Sequence, residues 1–212
     1  MFTLAHLSSP PPESLKSQVQ QMVVDYFADV SAVPLLPSNP LYQLYQYVIG
    51  YELHLHLQTM NGEAEGPVQL LLALDAEDPA RVLGFALYLP SPDDAVACTL
   101  AYLAVDAAHR RQGIGRALLQ RVLAHRPHLE LACVADKVPL FEALGLQVLA
   151  AQGALVVMNS RDYRSSGMVA VADLAPVFAS TEVRQIHAYL LKQHCTLKNG
   201  LLKSEHSNLQ RH

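Results

Sequence analysis

Three apolar runs of strand length, joined by short polar turns, are the feature that most constrains the fold of this chain. They are "VQLLLALD" (68–75), "VLGFALYLP" (82–90) and "ACTLAYLAV" (97–105), with "AEDPAR" and "SPDD" between them. Runs of this length bounded by turn residues are typical of strands, and short turns join antiparallel neighbours. The sequence therefore predicts an antiparallel meander in the middle of the chain.

Helical patterns surround this meander. Apolar residues recur at helical spacing over 14–30 and again from Gly115 onward. Farther on we expect a strand at 129–135, a short helix that Gly145 ends, and two closing strands, "LQVLA" and "ALVVMN". The segment 41–60 starts with helical spacing and changes to strand-like alternation at "YELHLHL", so its type stays open. This order of elements predicts an α/β fold, with a mixed sheet and helices on its faces.

Length and composition indicate one domain with an appendage. The chain has 212 residues, half of them apolar, which suffices for a substantial core. We expect a domain over 1–160 and a C-terminal extension over 161–212 with a frayed end. The extension contains one amphipathic helix over 180–194. Val183, Ile186 and Leu190 are expected to face inward, and Ser180 or Thr181 is expected to be the N-cap.

The distribution of charge indicates an anion site. The whole chain has a net charge of −4, which gives no reason to expect nucleic acid as a partner. Residues 1–160 contain eight Lys or Arg and fifteen Asp or Glu, yet five of those eight basic residues lie between Arg110 and Arg126. Residues 161–212 have a net charge of +3. A local positive cluster in an acidic domain is typical of a binding site for one anionic ligand.

The cysteines and the N-terminus bear on the compartment. Three scattered cysteines, Cys98, Cys133 and Cys195, fit buried free thiols better than a disulfide framework. The first residues, "MFTLAHLSSPPPESLK", lack the pattern of a signal peptide, and charges interrupt every long apolar stretch. We therefore expect a cytoplasmic protein with no membrane partner.

The segment "RRQGIG" combines two glycines with arginines between a strand and a helix. Gly113 and Gly115 let a ligand approach the backbone, and the first N–H groups of a helix have no intrahelical partners. Phosphate oxygens satisfy such donors at the positive end of the helix dipole. Arg110, Arg111 and Arg116 add charge-assisted hydrogen bonds. The sequence therefore predicts a phosphate-bearing ligand.

Two common phosphate motifs are excluded. No Lys-Ser or Lys-Thr follows the second glycine, as a nucleotide P-loop requires. Leu118 stands where the dinucleotide fingerprint has its third glycine.

The strand end "LAVD", the loop "RRQGIGRALL" and the later "PLFEALGL" together resemble the GNAT superfamily of N-acetyltransferases. The resemblance lies within residues 68–159, and its loop motif is highly specific. It implies a GNAT-like sheet splayed between its fourth and fifth strands, where the pantetheine arm of acetyl-CoA inserts. It also implies two sets of contacts: Leu103, Ala104, Val105 and Phe141 along the arm, and Arg110, Arg111, Gln112, Gly113, Ile114, Gly115 and Arg116 around the pyrophosphate.

The same resemblance implies an N-acetyltransferase. Acetyl-CoA would be the acyl-donor cosubstrate, and a primary amine would attack its thioester directly in a ternary complex. A backbone N–H near Val105 would stabilise the oxyanion. Two further readings stay open: an acyl-CoA-binding module without transfer chemistry, and an interaction protein whose 161–212 extension docks a partner.

One departure from the family pattern concerns the proton donor to the leaving thiolate. The family's tyrosine is Phe141 here, and its following aromatic residue is Leu146. A thiol with a pKa of about 8.5 still leaves tolerably as a thiolate near neutrality. Tyr102 is the main candidate for the acid, with water or Tyr88 as alternatives, although a strand tyrosine also serves simply in packing.

Two carboxylates are candidates for the acceptor side. Asp136 follows the fifth strand, where it would orient the acceptor, act as a base, or cap the next helix. Glu130 faces either the splayed strands or solvent.

Other side chains give weaker signals. His54 and His56 would share one side of a strand, but two ligands without a third do not make a zinc site, and no metal is expected. Four tyrosines form two helical pairs, one of which would line a pocket for an acceptor with apolar bulk: Tyr42, Tyr45, Tyr47 and Tyr51. The acceptor is a small-molecule amine or a protein, and a homodimer is among the open assembly states.

Overall fold

The computed structural model describes residues 1–31, 33, 35–63, 66–161, 175–181 and 183–193. By contacts the chain divides into two compact units. The first consists of Met1–Pro34 and Ile49–Ala172, and the second of Leu35–Val48 and Asp173–His212. The division into 1–160 and 161–212 stays a prediction.

The first unit is built around one mixed sheet of seven strands. Their bounds are β1 Phe2–Leu7, β2 Gln69–Asp75, β3 Val82–Pro90, β4 Ala97–Val105, β5 His128–Val134, β6 Gln147–Gln152 and β7 Leu155–Asn159. The spatial order is β1-β2-β3-β4-β5-β7-β6, and only β4 and β5 pair in parallel among these strands. The predicted mixed α/β fold and the antiparallel β2–β4 meander are confirmed.

β1 was not among the predicted elements. It pairs antiparallel with β2 at the edge of the sheet, from Phe2 opposite Asp75 to Leu7 opposite Leu70. None of its residues is fully buried. A half-exposed edge strand has only a weak apolar pattern, because one side of it needs no burial.

Two helices follow β1 and cover one face of the sheet. α1 spans Glu13–Asp25 and α2 spans Phe27–Val30, with a break at Tyr26 inside the segment predicted as one helix. α1 starts after Pro12, where a missing N–H costs no hydrogen bond. Its buried face includes Val19, Met22 and Val23. The Gln18 side chain then fixes the helix to the β2–β3 turn, bonding the Ala80 carbonyl and the Val82 amide.

The segment whose type stayed open is helical throughout. α3 spans Tyr42–Gln58, so His54 and His56 lie on a helix and the strand alternative is excluded. The alternation in "YELHLHL" is too short to outweigh the longer pattern of buried residues, which recur at helical spacing: Leu44, Val48, Leu53 and Leu57. In the first unit, Gly50 of α3 lies against Val24 of α1.

The opposite face of the sheet is covered by α4, Ile114–His125. Its buried residues Ile114, Leu118, Leu119 and Val122 pack in one core cluster with side chains of β2–β5 and β7. Each of these four is at most 1% exposed. Burying a leucine or isoleucine contributes about 1.5–3 kcal/mol, so this stripe fixes α4, and with it the loop before α4, on the sheet.

The remaining elements match the predicted order. α5 spans Val138–Ala143, and Gly145 after it has φ +100°, as expected of a glycine that ends a helix. β6 and β7 close the sheet beyond β5. In the first unit, the free thiols of Cys98 and Cys133 are buried as predicted, while Cys195 lies outside the described residues.

In the second unit, α6 spans Ala175–Ala179, and residues 183–193 are helical. The Ser180 hydroxyl accepts a hydrogen bond from the Val183 amide at 3.3 Å, as an N-cap does. Val183 is buried and Leu190 is half-buried, but Ile186 is exposed, so its predicted inward position is wrong. The end predicted to fray, "KSEHSNLQRH" (203–212), lies outside the described residues.

Candidate functional site

A groove opens in the sheet where β4 and β5 separate. The two strands pair over only three positions, the last being Thr99 opposite Glu130. Both strands continue for several residues, yet no later residue of either, all within the described 66–161, pairs across the gap. Backbone groups of β4 on this side therefore have no strand partner and can bind an extended ligand as a neighbouring strand would.

A β-bulge in β4 explains the separation. Leu87 pairs with Tyr102 and Tyr88 pairs with Leu100, so Ala101 is an extra residue without a partner in β3. A bulge bends its strand and increases the local twist. It also changes which side chains point to which face: Leu100 and Leu103 both join the α4-side core, whereas Tyr102 faces the α1 side.

The groove passes between the two faces of the sheet. It contains about 430 Å³ of empty space, including the part open to solvent. One wall is apolar and belongs to the α4 side, with Leu103, Leu131 and Phe141; the other is formed by the end of α2, with Asp29, Val30 and Ser31.

The predicted phosphate loop lies between β4 and α4. Arg111 has φ +66° and Gly113 has φ +82°, so two left-handed residues turn the chain sharply into the helix. Gly113 is the N-cap of α4 and has no side chain to cap it. The first intrahelical N–H is that of Ala117, which donates to the Gly113 carbonyl. The amides of residues 114–116 are therefore the donors that an anion would satisfy.

Arg111 adopts a left-handed backbone conformation although it is not a glycine. A bulky residue at positive φ costs about 1–2 kcal/mol, and such strain concentrates at functional sites. Arg111 is exposed, so its guanidinium is available at the loop.

The other two arginines of the loop bond to protein groups. Arg110 donates from Nε to the Val105 carbonyl at 3.2 Å and from Nη2 to Asp29 at 3.1 Å, and it lies over the Tyr26 ring. Arg116 donates from Nη2 to the Ala143 carbonyl at 2.8 Å. These contacts tie the loop to α2 and to the end of α5.

Asp29 joins both rims of the groove. It pairs with Arg110 of the loop and with Lys137, which follows β5. Burial opposes ionisation of this carboxyl, but the hydrogen bonds and charges of Lys137 and Arg110 outweigh it, so the pKa of Asp29 lies below its usual value. The carboxylate thus pairs with two cations and offsets one of their two positive charges.

A second polar network supports the start of the loop. The Tyr26 hydroxyl donates to Asp106 at 3.1 Å and accepts from the Ala107 amide at 2.8 Å. His109 Nδ1 lies 2.6 Å from the other Asp106 oxygen. Burial disfavours the Asp106 charge, yet the His109 and Tyr26 hydrogen bonds prevail and lower its pKa. Sequence reasoning missed Tyr26, because it lies 80 residues from Asp106.

Tyr102 contacts residues of α3. It is 5% exposed. The His56 ring meets the Tyr102 ring edge-on, with centroids 6.5 Å apart. Burial first, and then the charge and hydrogen bond of Glu52, raise the pKa of Tyr102, so it stays protonated.

The GNAT family model, described as "Acetyltransferase (GNAT) domain", matches residues 69–148, which contain the splayed strands, the loop and α5. The similarity to the GNAT family thus lies in residues 69–148. The resemblance drawn from the loop and from "PLFEALGL" is confirmed.

One curated relative is similar to part of this chain. A mycothiol acetyltransferase of Saccharomonospora viridis is 35% identical over 102 residues, a match that covers 44% of this chain and 33% of that protein. The chain thus spans about a third of the length of this curated relative.

Two solved structures share the fold. The PaiA N-acetyltransferase of Thermoplasma acidophilum, in complex with coenzyme A, superposes with a TM-score of 0.55 at 13% identity, covering 75% of this chain and 99% of that one. An acyl-CoA N-acyltransferase of Pseudomonas aeruginosa gives 0.50 at 13% identity, covering 76% and 100%.

The other residues considered for the site belong to several elements within residues 69–148. Phe141 is half-buried and lines the groove, and Leu146 is buried. Asp136 is exposed in the 3-10 turn before α5, whose N-cap position is Lys137, with no side-chain capping bond. Glu130 is opposite Thr99, and its carboxylate lies 2.9 Å from His128 Nε2.

The histidines and tyrosines of α3 do not form a metal site. Among the described residues, no group of three or more His, Cys, Asp or Glu is placed to hold a metal ion. In the second unit, Tyr45 packs near Phe178, with ring centroids 6.0 Å apart. A role for the α3 tyrosines in acceptor binding stays a prediction.

A search of the described residues for membrane-spanning helices found no helix that combines the required length and apolarity.

Proposed function

We propose that this chain is an N-acetyltransferase that transfers an acetyl group from acetyl-CoA to a primary amine, with both substrates bound together. The observation that carries the proposal is the succession of two features along the chain: the groove beside β4, and the amides of residues 114–116 in the loop and helix start that follow β4. One offers strand-like pairing to an amide-containing arm, and the other offers donors to a phosphate. Acyl-CoA combines these two chemistries in one molecule.

The residues present fit acyl-CoA. The edge of β4 at Leu103, Ala104 and Val105 would pair with the pantetheine amides, and Phe141 offers an apolar contact along the arm. The pyrophosphate would lie at the loop 110–116, where Arg111 supplies charge. Gly113 supports this placement, because a Cβ built there meets nothing within 4 Å, so the space above the loop is open.

Acetyl-CoA would supply an activated thioester to this groove. The amine nitrogen forms a bond to the acetyl carbon, the carbon–sulfur bond breaks, the amine loses a proton and the sulfur gains one. We assign the proton donation to Tyr102, which is protonated and adjoins the bulge, and the oxyanion contact to a β4 amide near Val105. For Asp136, exposed after β5, we propose a role in orienting the acceptor.

The experiment that tests this function uses the full chain. Calorimetric titration with CoA should show binding, and acetyl-CoA should be consumed in the presence of members of a panel of amines and peptides. Absence of CoA binding would refute the proposal. Binding without consumption across the panel would favour a module that binds acyl-CoA without transferring the acetyl group.

Tyr102→Phe is expected to lower kcat by about 100-fold, the smaller end of the range for losing a general acid, with little change in CoA affinity. Tyr88→Phe is the matched control. Tyr88 is another buried tyrosine of the sheet, but it faces the α4 side and its hydroxyl lies 3.1 Å from His6 Nε2. Equal kcat values for wild type and Tyr102→Phe, measured at saturating substrates, would remove Tyr102 from the mechanism.

The compartment, the assembly and the domain division belong to the same proposal. Buried free thiols at Cys98 and Cys133 fit a reducing compartment, and we propose the cytoplasm. A small-molecule amine or a protein would be the acceptor, and sedimentation of the purified chain would decide between monomer and homodimer. We propose that residues 161–212 form an extension to a domain of residues 1–160.

A further inference from the structure

We propose that Tyr26 is a positioning residue that holds the phosphate loop, the segment 106–113 between β4 and α4, in its binding conformation before a ligand arrives. This inference rests on the proposed function and goes beyond it, since it assigns part of the affinity for the pyrophosphate to a residue at the break between α1 and α2. It is carried by the contacts of Tyr26 with Asp106, Ala107 and Arg110.

The Tyr26 hydroxyl bonds the first two residues of the phosphate loop. It donates to Asp106 Oδ1 at 3.1 Å and accepts from the Ala107 amide at 2.8 Å. Because a carboxylate only accepts, the hydroxyl hydrogen points to Asp106, and an oxygen lone pair is left for the amide. One hydroxyl thus fixes a side chain and a backbone group at the start of the loop.

The Tyr26 ring contacts the same loop at a second place. The Arg110 guanidinium carbon lies 4.7 Å from the ring centroid, within the range of a cation–π interaction. Ala107 starts the 3-10 turn Ala107–His109, and Arg110 follows this turn directly. Tyr26 therefore holds the turn at both ends.

The position of Tyr26 depends on the packing of its neighbours. α1 ends at Asp25 and α2 begins at Phe27, while Tyr26 itself has φ −102° and ψ 27°. Val23 before this break and Phe27 after it are buried, and both helices pack against β4. The break is thus fixed on the sheet, and the loop is held against a rigid element.

The contacts of Tyr26 lie directly before a strained residue. Arg111 has φ +66°, a conformation that a residue other than glycine keeps only where the surrounding structure holds it. After this residue, the chain is fixed by the buried face of α4. Before it, Tyr26 is the anchor. Loss of that anchor would let Arg111 relax to negative φ and carry its side chain away from the phosphate position.

The test removes the hydroxyl in Tyr26→Phe, which keeps the ring beside Arg110. We expect the Kd for CoA to rise about tenfold, as it does when the binding conformation is populated in about one molecule in ten. The nucleotide half of CoA, 3′-phospho-ADP, has the same pyrophosphate without the pantetheine arm, and its Kd should rise by the same factor. Calorimetric titration of the full chain measures both constants.

The second probe distinguishes the phosphate loop from the groove. α2 follows Tyr26, and its end forms one wall of the groove, with Asp29, Val30 and Ser31. A variant that disturbed this wall would weaken binding of the arm and leave 3′-phospho-ADP unaffected. Equal losses for the two probes therefore indicate that Tyr26 acts through the loop.

Tyr88→Phe is the matched control. The Tyr88 hydroxyl lies 3.1 Å from His6 Nε2, and the residue belongs to the core on the α4 side of the sheet. This variant also loses a tyrosine hydrogen bond, so we expect a lower free energy of unfolding. Both Kd values should stay as in wild type, because the lost bond does not hold the phosphate loop.

Asp106→Ala removes the same hydrogen bond from the side of the loop. We expect it to raise the Kd for CoA by about tenfold as well. In the double variant with Tyr26→Phe, the rise should fall well short of the product of the two single effects, because both substitutions break one shared contact.

The outcomes separate the inference from the proposed function. If neither probe binds the wild type, the proposed function fails and the inference fails with it. If CoA binds but 3′-phospho-ADP does not, the loop is not a preformed phosphate site, and the inference alone is overturned. It is also overturned by an unchanged Kd in Tyr26→Phe, by a loss for CoA alone, by an equal loss in Tyr88→Phe, or by fully multiplicative losses in the double variant.

Discussion

Arg111→Glu is expected to raise the Kd for CoA by about 100-fold. The substitution removes one charge-assisted contact to the pyrophosphate and places a like charge beside it, and together these cost about 2.7 kcal/mol, the free-energy equivalent of that factor. All three loop arginines are exposed, but Arg110 and Arg116 donate hydrogen bonds to Asp29 and to the Ala143 carbonyl. Calorimetric titration of the variant with CoA measures the change.

Arg121→Glu is the control for the change in net charge. Arg121 is exposed on α4, about two turns after Ile114, where the helix begins. We expect its CoA affinity to stay within about threefold of wild type, because exposed charges at that distance are largely screened in physiological salt. Equal losses in the two variants would mean that Arg111 acts only through the overall field and not through contact with the ligand.

Gly84→Ala is expected to destabilise the fold by about 2 kcal/mol, in the range for overpacking a close contact. Gly84 is opposite Val105 in the β3–β4 ladder. A Cβ there would lie 2.9 Å from the Ala104 carbonyl oxygen and 3.1 Å from Ile114 Cγ2. The first of these is backbone, which cannot rotate away, so β4 must shift at the residues proposed to pair with pantetheine. Urea unfolding measures the stability, and titration should show weaker CoA binding as well.

Gly115→Ala is the control for Gly84→Ala. It shows whether any glycine-to-alanine change near β4 lowers the stability of the fold. A Cβ on Gly115 would meet Val105 Cγ2 at 3.7 Å, an ordinary van der Waals distance. Its position in the first turn of α4 suits alanine, whose helix propensity is higher by about 1 kcal/mol. We expect a midpoint of unfolding at or above that of wild type. If Gly84→Ala unfolds at the same urea concentration as wild type, β4 is not held at the proposed spacing.

Features that depend on local pattern were predictable from the sequence. The meander, α4 and the closing strands follow from apolar spacing and turn residues, and the structure confirms them. The phosphate loop was recognisable because its glycines, arginines and helix start lie within seven residues. α3 was ambiguous because "YELHLHL" satisfies two periods over a short span, and its helical type depends on packing along the whole segment.

Features that depend on distant residues were not predictable. The Asp29–Arg110 pair joins positions 81 residues apart, and no spacing rule brings them together. The His56 and Tyr102 rings, which meet edge-on, are likewise brought together only by tertiary packing. The β4 bulge has no sequence signature beyond a continuous apolar run, yet it decides that Leu100 and Leu103, three residues apart, point to the same face of the sheet.

The central claim is that acyl-CoA lies in the groove between β4 and β5, with its pyrophosphate on the loop before α4. A crystal structure of the full chain with CoA tests this most directly. We expect the pantetheine arm to lie between the strands beyond the Thr99–Glu130 pair. We expect the pyrophosphate oxygens to lie within hydrogen-bond distance of the amides of residues 114–116. A CoA molecule whose arm lies outside this groove, or whose pyrophosphate lies away from the loop, would contradict it.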